Sequence, residues 1–408
     1  MPDAHAQTNA LDSRSKTIPM KVAIIGGGIG GLSAALQLLQ VGLDVHVYEQ
    51  APHIAEIGAG IQISPNASRI LLRLGLRAAM DAFGMRPRAV HQRRWDDGRI
   101  LQRAPLGPEV EAAFGAPYYH FHRADLVNLL ADALPQERLH VGHKLTGLEQ
   151  KGERVIARFE NGATAEADLL IGADGIHSRV REFVFGPEKP RFTGCVAWRG
   201  LVPAERIRHL GFEIVSHNWL GPDGHVVHYW VSGGRMMNVV CVVEHGDWTR
   251  ESWTDKGEVA DVLARYEGWH PMVRSLIGAF PQTFIWALHD RAELPCWSAG
   301  RVTLLGDACH PMLPMMAQGA AQSIEDGAAL ATLLKAMPDD IASALARYEA
   351  VRKPRATKLQ QASAANRSRF HLPDGEAQRA RDEALAASGD RSIANIGWLY
   401  VHDAAEAL

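Results

Sequence analysis

The sequence predicts an α/β fold class, with a dinucleotide-binding domain interrupted by a mostly antiparallel β-sheet domain and followed by a C-terminal helical tail. Three observations carry this. A glycine cluster lies between an apolar strand and a helical pattern near the start. Apolar strands run into an Asp-Gly turn in the middle and a Gly-Asp turn in the last third. Between those two, the texture changes to short β segments. The 408 residues allow more than one domain and a sizeable core. With 43 basic against 46 acidic residues and a formal charge of −3, no nucleic-acid partner is expected. The four cysteines, Cys195, Cys241, Cys296 and Cys309, form no CxxC pair, which fits a reducing cytoplasm.

Residues 1–19 are polar, lack an apolar signal core and read as a disordered leader. The apolar run from Val22 to Leu43 is interrupted by glycines and by Gln37 and Gln40, so a soluble β-α-β unit is expected and no membrane span. Val22-Ala23-Ile24-Ile25 is a buried-type strand, and Leu32, Ala35, Leu36 and Leu39 follow at helical spacing. Between them Gly26, Gly28 and Gly31 make GxGxxG in the strand-turn-helix setting that a Rossmann-like fold requires. The first glycine allows the tight turn, the second lets backbone approach a pyrophosphate, and the third lets helix and strand pack closely. The helix N-terminus offers free N–H groups to the phosphates. Glu49 closes the second strand, Val45 to Glu49, where a carboxylate accepts hydrogen bonds from a ribose.

That motif does not separate FAD from NAD. The strand Leu169 to Gly172 leads into Asp174-Gly175, and Val302 to Leu305 leads into Gly306-Asp307, with a helix expected from Gln318 onward. In this order the three motifs resemble a class A FAD-dependent aromatic hydroxylase from about Lys21 to about Arg355. The resemblance implies that Asp307 binds the ribityl chain of FAD and that Arg123 contacts the cofactor near its phosphate or ribityl portion. It implies also that Asp174 and Arg181 serve FAD and the nicotinamide nucleotide, and that the loop His310 to Gly319 passes the isoalloxazine. A helix start after Gly319 can stabilise negative charge on a reduced flavin. The missing cysteine pair and second GxGxxG exclude the pyridine-nucleotide disulfide reductases.

The expected division is a discontinuous FAD-binding domain at 20–190 and 287–372, a substrate domain at 191–286 and a helical tail at 373–408. The tail is free to pack on the FAD domain or on a partner in a homodimer. In the β segment His225-Val226-Val227-His228-Tyr229-Trp230, strand alternation puts His225, Val227 and Tyr229 on one face. A histidine and a tyrosine on an apolar wall suit the holding and deprotonation of a phenol. The His-x-x-x-Tyr spacing resembles the 3-hydroxybenzoate 6-hydroxylase and 6-hydroxynicotinate 3-monooxygenase branch, which also includes salicylate hydroxylases. That resemblance makes His225 the base and Tyr229 a substrate contact. The chain departs from that branch in reading Pro314-Met315-Met316 where those relatives carry Gln or His beside the substrate. Pro314, Met315 and Arg199 are the further substrate-side candidates, Arg199 as a partner for a carboxylate. His120, His122 and His310 lack ligand spacing, so no metal is expected.

The function that the resemblance implies is NADH- or NADPH- and O2-dependent hydroxylation of a phenolic aromatic acid through a flavin C4a-hydroperoxide. A reductase or oxidase of the same fold without oxygen insertion, and a non-catalytic FAD-binding protein, are the alternatives.

Overall fold

Three neighbouring strands of the first sheet, Val302–Leu304, Leu169–Gly172 and Lys21–Ile25, are short and, but for Thr303 and Lys21, apolar, as expected where both faces are covered. The structure, a computed structural model, describes residues 19–54, 59–246, 256–388 and 392–406; the expected leader lies outside them but for its last residue. Six strands run in the order Ser298–Ala299, Val302–Leu304, Leu169–Gly172, Lys21–Ile25, Asp44–Tyr48 and Leu139–His140. All neighbours are parallel except the first pair, which is a hairpin. The strands that carry GxGxxG, Asp-Gly and Gly-Asp are therefore adjacent, and their C-terminal ends meet at one edge of the sheet, where open α/β folds bind ligands.

Helix Ile29–Gln40 lies against helix Gly319–Ala336, close enough that a Cβ on Gly327 would come within 2.9 Å of the Ala34 backbone. Gln37 crosses the contact to donate to the Ile324 carbonyl at 3.2 Å. No helix among the described residues is long and apolar enough to cross a membrane.

The second sheet has eight strands in the order Lys256–Gly257, Thr283–Asp290, Arg191–Pro203, Met236–Glu244, Gly224–Val231, Ser216–Gly221, Ala89–Arg94 and Ile100–Pro105. It is antiparallel apart from Ser216–Gly221 beside Ala89–Arg94. The sheet crosses the division expected at residue 190: its last two strands come from 89–105, within the span assigned to the FAD-binding domain. Strand Thr283–Asp290 likewise runs past residue 286. The parallel pairing joins segments more than a hundred residues apart, a contact that strand periodicity does not reveal.

One face of this sheet packs Trp198, Trp219, Val226 and Val239 against helices Val259–Arg265 and Pro271–Gly278. The opposite face looks toward the first sheet. The tail folds back as helices Glu376–Ser388 and Ser392–Tyr400. Arg69 donates to the carbonyls of Tyr400 and His402 at 3.2 and 3.0 Å, and Arg355 to that of Leu399 at 2.9 Å. The tail thus packs on its own chain.

Candidate active site

The glycine turn shows why these residue types stand there. Gly26 has φ +111°, and a Cβ on it would lie 2.4 Å from the Ala173 carbonyl oxygen. A Cβ on Gly31 would lie 2.0 Å from the Gly26 oxygen, whereas one on Gly28 would meet nothing within 4 Å. The first and third glycines serve packing, and the second leaves a clear approach to the start of helix Ile29–Gln40. Glu49 ties the end of its strand to this turn, its Oε2 accepting from Gly27 N at 2.6 Å and Oε1 from Ala51 N at 2.7 Å.

A cavity of about 510 Å³ runs from this turn to the inner face of the eight-stranded sheet. Gly28, Arg123, Asp307 and Gly319 line it on one side, and Arg199, His225, Val227 and Tyr229 on the sheet side. Pro314, Met315 and Met316 also line it and give it an apolar stretch of wall. Asp307 is enclosed by protein yet open to the cavity, and burial raises its carboxyl pKa, opposed by His310 and Arg123. Helix Gly319–Ala336 begins beside it, with Ala317 left-handed at φ +51° just before the start.

Behind Asp307 lies a buried charged cluster. Asp326 accepts from Gly306 N at 2.9 Å, from His310 Nε2 at 2.7 Å and from Arg352 Nε at 2.8 Å. Burial alone would raise the Asp326 carboxyl, but His310 and Arg352 bring it to about 2. His310 is a support for the Asp307 turn. His122 lies 3.6 Å from Asp125, and the His120 ring packs tilted against Tyr229 with centroids 4.3 Å apart.

Three expected cofactor contacts, Glu49, Asp174 and Arg181, are not among the residues that line the cavity. Asp174 accepts from Ser178 Oγ at 2.5 Å, Arg179 N at 2.8 Å and Val180 N at 3.1 Å, so both its oxygens start helix Arg179–Phe185. Arg181 is buried and donates to the carbonyls of Ala308 and Ile176 at 3.2 and 3.0 Å, joining the Asp-Gly and Gly-Asp turns. For Asp174 and Arg181 alike, groups of the protein itself hold the side chain.

On the sheet side, alternation holds. His225 and Tyr229 face the cavity, while Val226, His228 and Trp230 pack on the far side. Burial, with His371 beside it, holds the His225 pKa well below the ordinary value, so the ring is neutral. His225 Nδ1 lies 2.7 Å from His371 Nε2. Burial raises the Tyr229 phenol above its usual range, so Tyr229 remains a hydrogen-bond donor. Arg199 rests 4.1 Å over the Trp286 ring, and burial lowers its pKa to about 10, still charged at neutrality. Arg199 Nε and Asn218 Oδ1, both on cavity-lining residues, are buried polar atoms with no protein partner.

Sequence reasoning missed the contributors from residue 369 onward. Arg369, Phe370, Leu385 and Leu399 also line the cavity. The apolar cluster Trp398-Leu399-Tyr400 was the one signal that this tail has a buried partner. His371 and Glu244 carried no local signal at all.

A GxGxxG turn tied to an acid at the next strand end, and a Gly-Asp turn before a helix start, the two turns opening on one cavity, define an FAD-dependent hydroxylase. Residues 19–363 match the FAD binding domain family, and the chain belongs to it. It is 42% identical over 386 residues, 94% of this chain and 96% of the other, to a 3-amino-4-hydroxybenzoate 2-monooxygenase of Streptomyces platensis. It is 41% identical over 350 residues, 84% of this chain and 90% of the other, to a 6-hydroxynicotinate 3-monooxygenase of Pseudomonas fluorescens. The crystal structure of Klebsiella pneumoniae HpxO complexed with FAD and uric acid superposes with a TM-score of 0.84 at 30% identity, covering 94% of this chain and 96% of that one. The protein is an FAD-dependent monooxygenase.

Proposed function

We propose that the chain hydroxylates a phenolic aromatic acid, a hydroxybenzoate or a hydroxypyridine carboxylate, with NADH or NADPH as reductant and O2 as oxidant. The observation that carries this is the placing of His225 and Tyr229 on one strand face of the cavity that Asp307 and Gly319 line from the other side. The glycine turn, Asp307 and the Gly319 helix start would hold FAD, with Arg123 beside them. When bound, FAD supplies the reducing equivalents and the activated oxygen.

The protein's own work is to hold the ring, exclude water and move one proton. Neutral His225 takes the phenol proton, which raises electron density on the ring carbons ortho and para to the oxygen. Tyr229 donates to the phenolic oxygen and holds the ring in register. Arg199, with a guanidinium nitrogen to spare, pairs with the carboxylate. Pro314, Met315 and Met316 supply an apolar face in place of a polar contact, and so bear on which ring is accepted. The unpaired cysteines, three of them buried, support a cytoplasmic setting. Sedimentation would show whether the chain is a monomer or a homodimer.

The test is NADH and NADPH oxidation against a panel of hydroxybenzoates and hydroxypyridine carboxylates, including 3-amino-4-hydroxybenzoate, salicylate and 6-hydroxynicotinate, with product and peroxide both quantified. A hydroxylated product in step with NAD(P)H consumed is expected for at least one acid. Peroxide alone from every acid would leave a reductase or oxidase without oxygen insertion.

A further inference from the structure

We propose that His371 and Glu244 form a relay that fixes His225 in the tautomer with a bare Nε2 toward the substrate and carries the substrate proton to the surface. This rests on the reading of His225 as base. Here His371 and Glu244 are positioning residues and do not touch the ring being hydroxylated.

The geometry is a chain of short contacts. His225 Nδ1 lies 2.7 Å from His371 Nε2, and His371 Nδ1 lies 2.6 Å from Glu244 Oε1. Arg367 grips the same carboxylate, Nε to Oε1 at 2.9 Å and Nη2 to Oε2, and Cys195 Sγ donates to it at 3.3 Å. The parts come from distant places: Glu244 ends strand Met236–Glu244, Cys195 lies in strand Arg191–Pro203, Arg367 lies in helix Ile341–Phe370, and His371 caps that helix. The His371 carbonyl accepts from Asp223 N at 3.2 Å, which ties the helix end to the hairpin turn before His225. The charged or titratable groups facing the relay are thus Glu244, Arg367, Cys195 and Asp223, with Tyr266 donating to the His225 carbonyl at 3.2 Å.

This arrangement determines the tautomers one after another. Burial alone would raise the Glu244 carboxyl, but hydrogen bonds from Arg367 and His371 bring it to about 2, so it is an anion and only accepts. His371 Nδ1 must then carry the hydrogen, which leaves Nε2 of the neutral ring as an acceptor. The 2.7 Å contact therefore requires His225 Nδ1–H, and the lone pair of His225 falls on Nε2, the ring nitrogen turned away from His371. Without the anion, either tautomer of His225 would serve the protein equally.

The proton balance closes. The phenol gives its proton to His225 Nε2 as Nδ1–H passes to His371 Nε2 and Nδ1–H of His371 passes to Glu244 Oε1. Glu244, 29% exposed, can pass it on to water. Reprotonation of the product phenol runs the same transfers backwards and restores the starting tautomers. The ligand atoms of Cys195, Glu244 and His371 also lie within 4.8 Å of one another, the spacing of a metal site. Arg367 already neutralises the carboxylate, and burial pushes the Cys195 thiol up to about 12, so the cluster is built for a proton and not for a cation.

The experiment uses the FAD-loaded enzyme and the panel acid with the highest coupled turnover, comparing wild type, His225→Gln, His371→Gln, Glu244→Gln and the double His225→Gln/His371→Gln from pH 6 to 9. His371→Gln is expected to lower kcat for hydroxylation at least tenfold at pH 7 while KM and FAD affinity stay within about twofold. The loss should shrink as the pH approaches the phenol's own pKa, because phenolate then enters preformed. The double variant should be no slower than His225→Gln, since His371 acts only through His225. Glu244→Gln should show the same pH-dependent loss, and it stands in should His371→Gln fail to fold. Wild-type kcat at pH 7 in His371→Gln, or a pH-independent loss that adds fully to that of His225→Gln, would overturn the relay. Wild-type hydroxylation by His225→Gln would instead remove the base assignment on which the relay rests.

Discussion

Gly26 and Gly28 stand two residues apart, yet the structure separates their roles, and substitution should show it. Gly26→Ala forces a methyl to 2.4 Å from the Ala173 oxygen at a φ of +111°, so it should unfold or loosen the turn and lower the melting temperature as well as FAD retention. Gly28→Ala meets nothing within 4 Å, so the chain should melt at the wild-type temperature while FAD affinity falls at least tenfold. Thermal melts of the apoprotein and flavin fluorescence titrations distinguish the two. Equal FAD affinity in Gly28→Ala and wild type would remove the pyrophosphate from this turn. Tyr229→Phe keeps the ring that packs against His120 and removes only the hydroxyl. Loss of that one donor should raise KM for the aromatic acid several-fold with FAD binding unchanged, about 1 kcal/mol for a neutral hydrogen bond.

Among the elements, helix Gly319–Ala336 links cofactor wall and core, because Asp326 on it holds Gly306, His310 and Arg352 at once. Arg352 is buried and also donates to Glu325 at 2.5 Å. Arg352→Met takes the guanidinium from Asp326, which keeps only His310 and the Gly306 N–H, and leaves Glu325 to Arg355, and should cost about 3 kcal/mol, read as a lowered melting temperature of the apoprotein. An unchanged melting temperature would mean that the cluster is dispensable for stability. The elements themselves were largely legible. Strand Gly224–Val231 begins and ends where the alternation does, and helix Gly319–Ala336 starts one residue after the expected Gln318. Periodicity and turn chemistry are local, and these features are local too. The site was legible only so far as it is built of such features: His225 and Tyr229 could be paired by counting along one strand. Arg181 and Asp174 looked like cofactor ligands because their motif is shared, but their side chains are spent on helix Arg179–Phe185 and on neighbouring carbonyls. His371 lies 146 residues from His225 and Glu244 lies 127 from His371, and no pattern in one sequence reports contacts over such separations.

For the molecule as a whole, the buried histidines set a stability limit on the acid side. Burial lowers His120 and His228 from 6.5 to about 3, and His217 falls further under burial and its neighbours His228 and Arg93. Above about pH 6.5 neither folded nor unfolded chain protonates them, and stability is unaffected. Below it the unfolded chain binds protons that the folded chain refuses, so stability falls as the pH drops toward the folded values. Each such histidine contributes a slope of about 1.4 kcal/mol per pH unit. The melting temperature should therefore drop steeply between pH 6.5 and 5, before the carboxylates titrate, and a flat profile over that range would contradict the buried neutral assignment.

The return of the tail to the cavity has a consequence in time as well as in space. During synthesis the glycine turn, both turn acids and the eight-stranded sheet emerge from the ribosome before helices Glu376–Ser388 and Ser392–Tyr400 do. A nascent chain can thus present a half-built cleft before Leu385 and Leu399 arrive to complete its lining. Cofactor loading would then precede closure, and refolding in the presence of FAD should outpace addition of FAD to the finished apoprotein.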